Sequence, residues 1–218
     1  MISWKEIDTV LFDMDGTLLD LHFDSYFWKQ LVPERYADKE GLSRATVWSI
    51  IGPKLEEVAG TLEWYCFDYW SKELGMNILG MKKDITHKIQ FRPHAEQLLK
   101  HLHASDKKII LATNTNRDGL NLKMDFIPFA QYFDELYSSH DFGHPKEEQA
   151  FWQNLSQNLD FDPTRTLFID DSLEVLRSAR TYGIKHLLAI SQPDMTLPKV
   201  ETGEFQAIDN FCDLLPIE

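Results

Sequence analysis

Thr9-Val10-Leu11-Phe12-Asp13-Met14-Asp15-Gly16-Thr17-Leu18-Leu19-Asp20 runs from an apolar stretch suited to a buried strand directly into two carboxylates and a glycine. A strand repeats every two residues, so Asp13 and Asp15 point the same way, and Gly16 lets the backbone turn sharply beside whatever they hold. Carboxylates that close repel each other unless a proton or a cation sits between them. One is suited to be a nucleophile and metal ligand, and the other, two residues on, an acid that gives up and retakes a proton. Asp-x-Asp-Gly is also a turn signature and a fragment of calcium loops. A calcium loop needs further oxygen ligands and a closing Glu, and Leu18-Leu19 fills that stretch instead.

Outward from this stretch, further runs rich in Val, Ile, Leu and Phe recur at Lys108 to Ala112, Thr166 to Ile169 and Lys185 to Ile190, with a weaker one at Glu135 to Ser138. Each is followed by polar residues and a helix-like segment, the pattern of buried parallel strands alternating with helices in an α/β sheet. Between the first two strands the chain reads as helical, with breaks expected at Pro33, Gly41, Gly52-Pro53, Gly60, Gly75 and Gly80. That segment is far longer than a crossover needs. It predicts an all-helical cap subdomain over residues 21–89, inserted into an α/β core of residues 1–20 and 90–218, and placed as a lid over the Asp13/Asp15 loop. Pro93 is expected to open the helix that runs to about His103.

The formal net charge is -13, from 35 acidic and 22 basic residues with no Lys/Arg-rich run, which argues against nucleic acid as a partner. An anionic substrate would need local help from a metal or a few placed cations. Cys66 and Cys212 lie far apart in unlike contexts, which suits a reducing compartment and offers no zinc spacing. The N-terminal residues lack the apolar core of a signal peptide, and no segment is long and apolar enough to span a bilayer, so a cytoplasmic protein without a membrane partner is expected.

Three further segments carry chemistry. The second strand ends in Thr113-Asn114-Thr115-Asn116, at the edge of an open α/β sheet where ligands bind; the Thr113 hydroxyl and the Asn114 backbone N–H suit phosphate oxygens, although Thr-Asn after a strand is also an ordinary turn. Lys146 precedes Glu147-Glu148-Gln149-Ala150-Phe151-Trp152, read as a helix start, where a lysine in the first turn opposes the helix dipole unless it meets an anion. The fourth strand runs into Asp170-Asp171-Ser172. One aspartate or serine suffices to cap the following helix, so the second carboxylate is unexplained by capping. With Asp13, these carboxylates are compatible only around a divalent cation, and oxygen-only ligands beside a phosphate indicate Mg2+.

In this order, Asp13-x-Asp15-Gly16-Thr17, Thr113-Asn114, Lys146 and Asp170-Asp171 resemble the four motifs of the haloacid dehalogenase-like (HAD) superfamily across the whole chain. The resemblance implies a Rossmann-like parallel sheet with helices on both faces, a helical cap inserted after the first strand, and catalysis through an aspartyl-phosphate. It implies that Asp13 is nucleophile and metal ligand, and that Asp15 is the general acid/base, meeting the metal through its backbone carbonyl. Thr113, Asn114 and Lys146 would hold the phosphoryl group, and Asp170 and Asp171 would complete the metal shell. Leu18 to Trp28, the aromatic run Trp64 to Trp70 and Phe142-Gly143-His144-Pro145-Lys146-Glu147 further resemble the bacterial GMP/IMP nucleotidases of this superfamily.

The expected substrate is therefore a small-molecule phosphate ester, a purine nucleoside monophosphate before others. GMP and IMP present an acceptor oxygen and a ring N–H on one edge, and AMP the reverse, so a site built for one pattern rejects the other. Arg44, Asn116, Arg117 and the cap aromatics are the candidate readers of that edge. A phosphosugar phosphatase or phosphomutase is the alternative within the superfamily, and a catalytically silent binding or regulatory protein the alternative outside enzymes. A dehalogenase is disfavoured, because that branch lacks the acid two residues after the nucleophile. Sequence leaves monomer and homodimer equally open.

Overall fold

The computed structural model describes residues 2–217. Its centre is a parallel sheet in the order β3-β2-β1-β4-β5-β6, formed by β1 (Thr9–Phe12), β2 (Lys108–Thr113), β3 (Glu135–Ser138), β4 (Thr166–Asp170), β5 (His186–Ile190) and β6 (Ala207–Ile208). All of β1 is buried, as its uninterrupted apolar run requires, and its side chains alternate between the two faces. Val10 and Phe12 join one apolar cluster, and Leu11 joins the other.

The helices are α1 (His22–Tyr26), α2 (Val32–Glu40), α3 (Arg44–Val58), α4 (Phe67–Leu74), α5 (Ile78–Lys83), α6 (Ala95–His103), α7 (Arg117–Phe126), α8 (Gln149–Asn158) and α9 (Leu173–Tyr182). Leu98, Leu99 and Leu102 of α6 and Leu120 of α7 pack with Phe12 and Leu111 on one face of the sheet. Trp152 and Leu155 of α8 and Val175, Leu176 and Ala179 of α9 pack with Leu11, Ile110 and Phe168 on the other. The end of α9 falls at Tyr182 before a left-handed Gly183, and Ser172 caps its start.

Helices α1 to α5 occupy the connection between β1 and β2. The chain leaves and re-enters the sheet layer side by side: Leu19 bridges Phe91, Asp20 N donates to Gln90 O at 2.9 Å, and Arg92 N donates to Leu18 O at 2.9 Å. Phe23, Phe27, Trp70 and Ile78 from these helices are buried in the same apolar cluster as Phe12, so the apolar core runs continuously from the sheet into the helical layer.

Several expected breaks are not breaks. Pro33 lies at the start of α2, and the chain stays helical before it because Phe27–Leu31 widens into a π-turn, with Val32 N donating to Phe27 O. The widening relieves the clash of a proline ring with the carbonyl four residues back, and the Lys29 carbonyl that Pro33 cannot serve accepts from Arg44 Nη2 at 3.1 Å. Gly52-Pro53 lies inside α3, where the carbonyl that loses its donor belongs to the exposed Ser49. Gly80 lies within α5, its N–H donating to the capping Asn77. At α6 the helix opens at Ala95 instead of Pro93, because His94 takes a left-handed conformation with φ 61°. The two-residue β6 was not expected, since its run is too short to register as a strand.

Candidate active site

Parallel pairing sets Phe12 opposite Leu111 of β2 and Ile169 of β4. Asp13, Thr113 and Asp170 therefore emerge together at the carboxyl edge of the sheet, where the connections from β1 and β4 diverge and a crevice opens. Lys146 reaches this point from the loop before α8. It is buried, and its Nζ donates to Asp13 Oδ1 at 2.5 Å and to Asp170 Oδ2 at 2.7 Å. Burial alone would lower its pKa, and the two carboxylates hold it above the usual lysine range.

The loop is fixed on both sides of that lysine. Lys146 N donates to Asn114 Oδ1 at 2.9 Å, and Lys146 O accepts from Trp152 Nε1 at 2.9 Å. Asn114 Nδ2 donates to Glu147 Oε2, whose partner oxygen accepts from Tyr65 OH, each at 2.9 Å. Lys146 lies ahead of α8, whose N-cap is Glu148, so the expected first-turn conflict with the helix dipole does not arise. The anions it meets are side chains.

Asp13, Asp170 and Asp171 offer oxygens within 4.8 Å of one another. Asp170 Oδ1 also accepts from Ser172 N at 2.8 Å, whereas Asp171 has no hydrogen-bond or ion-pair partner among the described residues. Asp171 packs on Gly16, where a Cβ would lie 2.4 Å from Asp171 Oδ2; with φ +84°, the glycine is required twice over. One ammonium among three carboxylates leaves surplus negative charge. Burial pushes Asp13 up to about 6 against the pull of Lys146, raises Asp170, and raises Asp171 well above the carboxylate range with help from its acidic neighbours. An all-oxygen cluster with uncompensated charge fits a hard divalent cation.

The Asp15 side chain stands apart from that cluster. Its Oδ2 accepts from Thr115 Oγ1 at 2.7 Å and its Oδ1 from Lys123 Nζ at 2.5 Å. Burial raises its pKa, opposed by Lys123.

All of Asp13, Asp15, Thr113, Asn114, Lys146, Asp170 and Asp171 line one cavity of about 520 Å³. Most of its other lining comes from the helical layer and includes Trp28, Trp48, Leu55, Trp64, Tyr65 and Phe67. The Thr113 hydroxyl accepts from Thr115 N at 3.1 Å, which leaves its own hydrogen to donate. Arg44, Asn116 and Arg117, the candidate readers of a base, do not line the cavity. Arg44 serves the Lys29 carbonyl, Asn116 caps α7, and Arg117 pairs with Asp141. Tyr65 belongs to the aromatic run already expected to contribute, whereas sequence reasoning missed Thr115, Lys123, Asp24, Lys82 and Glu147; each looks like an ordinary polar surface residue until the fold buries Lys82 and Lys123 and half-buries the rest.

The chain belongs to the haloacid dehalogenase-like hydrolases, whose family model matches residues 10–189. It is 37% identical over 215 residues to the GMP/IMP nucleotidase YrfG of Escherichia coli (strain K12), a match covering 99% of this chain and 97% of that protein. A HAD phosphatase from Thermococcus onnurineus superposes with a TM-score of 0.78 at 20% identity, over 95% of this chain and 96% of that one. The L-2-haloacid dehalogenase of Xanthobacter autotrophicus does so with a TM-score of 0.65 at 16% identity, over 95% and 96%. The shared fold thus spans different chemistries, and the site residues must choose among them. No described helix is long and apolar enough to cross a membrane.

Proposed function

We propose that this protein is a magnesium-dependent phosphomonoesterase that works through an aspartyl-phosphate on Asp13 and prefers purine nucleoside monophosphates. The observation that carries the reading is Lys146 bridging Asp13 and Asp170 within a three-carboxylate cluster, with Asp15 held beside it and outside it. The likeness to a GMP/IMP nucleotidase over nearly the whole chain supports the substrate class. The tryptophan-rich cavity walls favour a flat aromatic group over a bare sugar.

Asp13, Asp170 and Asp171, with the backbone carbonyl of Asp15, would hold the magnesium ion, and Asp171 is the freer of the paired aspartates. When bound, the ion supplies positive charge opposite the phosphoryl oxygens. Asp13 attacks phosphorus in line with the ester oxygen, while Lys146, Thr113 and the Asn114 backbone N–H orient the phosphoryl group. Asp15 protonates the departing alkoxide, then takes a proton from the water that cleaves the acyl phosphate. Residues 21–89 act as the cap over a core of residues 1–20 and 90–218, with the paired segments around Leu19 and Phe91 as the hinge. Closure excludes water during the first step, and opening admits it for the second.

The test is phosphate release in the presence of magnesium from GMP, IMP, AMP, pyrimidine monophosphates and sugar phosphates. GMP and IMP are expected to react fastest. Faster release from sugar phosphates than from any nucleotide overturns the nucleotidase reading.

A further inference from the structure

A second charged cluster lies on the Asp15 side of the cavity, and the chemistry above gives no part to Lys123, Asp24 or Lys82 within it. Lys123 of α7 is buried, and its Nζ bridges Asp15 Oδ1 at 2.5 Å and Asp24 Oδ2 at 2.9 Å. Asp24, on α1, also accepts from Lys82 of α5. The buried Lys82 ammonium lies 4.8 Å, 4.5 Å and 4.9 Å from the ring centroids of Phe23, Phe27 and Phe67. Charges therefore alternate along Asp15, Lys123, Asp24 and Lys82, from the catalytic loop into the helical layer.

Burying two ammonium groups is costly, and apolar side chains of similar volume would pack there without that penalty. Packing alone does not explain Lys123. The helix that carries it is also placed closely: a Cβ on Gly119, one turn earlier, would lie 2.4 Å from Thr115 Cγ2 and 2.7 Å from Phe67 Cζ. Helix α7 and the residues just before it thus supply both groups that bond Asp15, Thr115 to one oxygen and Lys123 to the other.

We propose that Lys123 is a positioning residue for Asp15, holding its carboxylate in the orientation that serves the leaving-group oxygen, and that Asp24 and Lys82 hold Lys123 in turn. The proposal rests on Asp15 as the general acid. In the first step the bond from Asp13 oxygen to phosphorus forms, the bond from phosphorus to the ester oxygen breaks, and the Asp15 proton moves to that oxygen. An alkoxide leaves poorly without this proton, whereas p-nitrophenolate leaves readily. Loss of orientation therefore harms esters of alcohols selectively.

The experiment is single-turnover phosphoryl transfer by the magnesium-loaded enzyme, comparing p-nitrophenyl phosphate with GMP, or with ribose 5-phosphate if wild type does not turn GMP over. Lys123→Met is expected to slow the alkyl ester on the order of 100-fold, the lower end of what a general acid contributes, with the half-saturating concentration nearly unchanged and p-nitrophenyl phosphate slowed only a few-fold. Asp24→Asn and Lys82→Met should show the same selectivity to a smaller degree, and they carry the test if Lys123→Met fails to fold. Equal losses on both substrates, or no loss, overturn the proposal. Asp15→Asn is the reference. If it shows no leaving-group selectivity, the acid assignment itself is wrong and the proposal falls with it, an outcome distinct from a selective Asp15→Asn beside an unselective Lys123→Met.

Discussion

Asp13 and Gly16 make the most specific demands on single side chains. Asp13→Asn removes the carboxylate proposed to attack phosphorus and is expected to lower kcat by several orders of magnitude while the protein stays folded, measured by steady-state assay beside circular dichroism. Gly16→Ala forces a side chain into left-handed backbone, at about 1–2 kcal/mol, and into the Asp171 carboxylate. Its expected outcome is a lower melting temperature together with weaker magnesium binding, read by titrating the melt with the ion. The motif positions could be recognised from sequence because carboxylates, a lysine and a threonine at strand ends are chemically unusual there. Lys82 and Lys123 could not. A lysine near a helix end normally lies in water, and only contacts with residues remote in sequence reveal that these are buried.

Among the elements, the loop carrying Lys146 depends on α8. Trp152 is fully buried, and its Nε1 bonds Lys146 O and Ser178 Oγ. Trp152→Phe removes part of a buried ring and deprives a buried carbonyl of its donor, with an expected loss of about 2–3 kcal/mol in urea denaturation and a reduced kcat. Arg44 stands in contrast. Its guanidinium serves a carbonyl orphaned by Pro33 at an exposed site, so Arg44→Ala should change stability by no more than about 0.5 kcal/mol and leave base preference unchanged, as measured by kcat/KM for GMP against AMP. The apolar runs exposed β1 to β5 in the sequence, whereas β6 is too short to leave a pattern. Prolines do not end the helix inside α3 or at the start of α2, because the carbonyl that loses its donor belongs to an exposed residue in the first case and accepts from Arg44 in the second, which propensity alone does not register.

For the whole molecule, the surplus charge at the sheet edge couples stability to pH and to the cation. Asp13 titrates near 6 in the fold against 3.8 in the unfolded chain, so the metal-free fold holds its proton longer and loses stability as pH rises through that interval. A divalent cation offsets the charge once the carboxylates ionise, so its stabilising shift in Tm should grow between about pH 5 and pH 7. Comparing melts with and without magnesium isolates this site from Asp24, where burial is outweighed by Lys123 and Lys82, the pKa is depressed, and stability is lost toward acid. A shift independent of pH would contradict the metal role of the cluster. The central claim, that Asp13 takes the phosphoryl group, is tested most directly by quenching the enzyme during turnover of GMP labelled at phosphorus and mapping the label on the protein. The expected result is a hydroxylamine-labile phosphate on the peptide containing Asp13, absent from Asp13→Asn; label on another residue would contradict it.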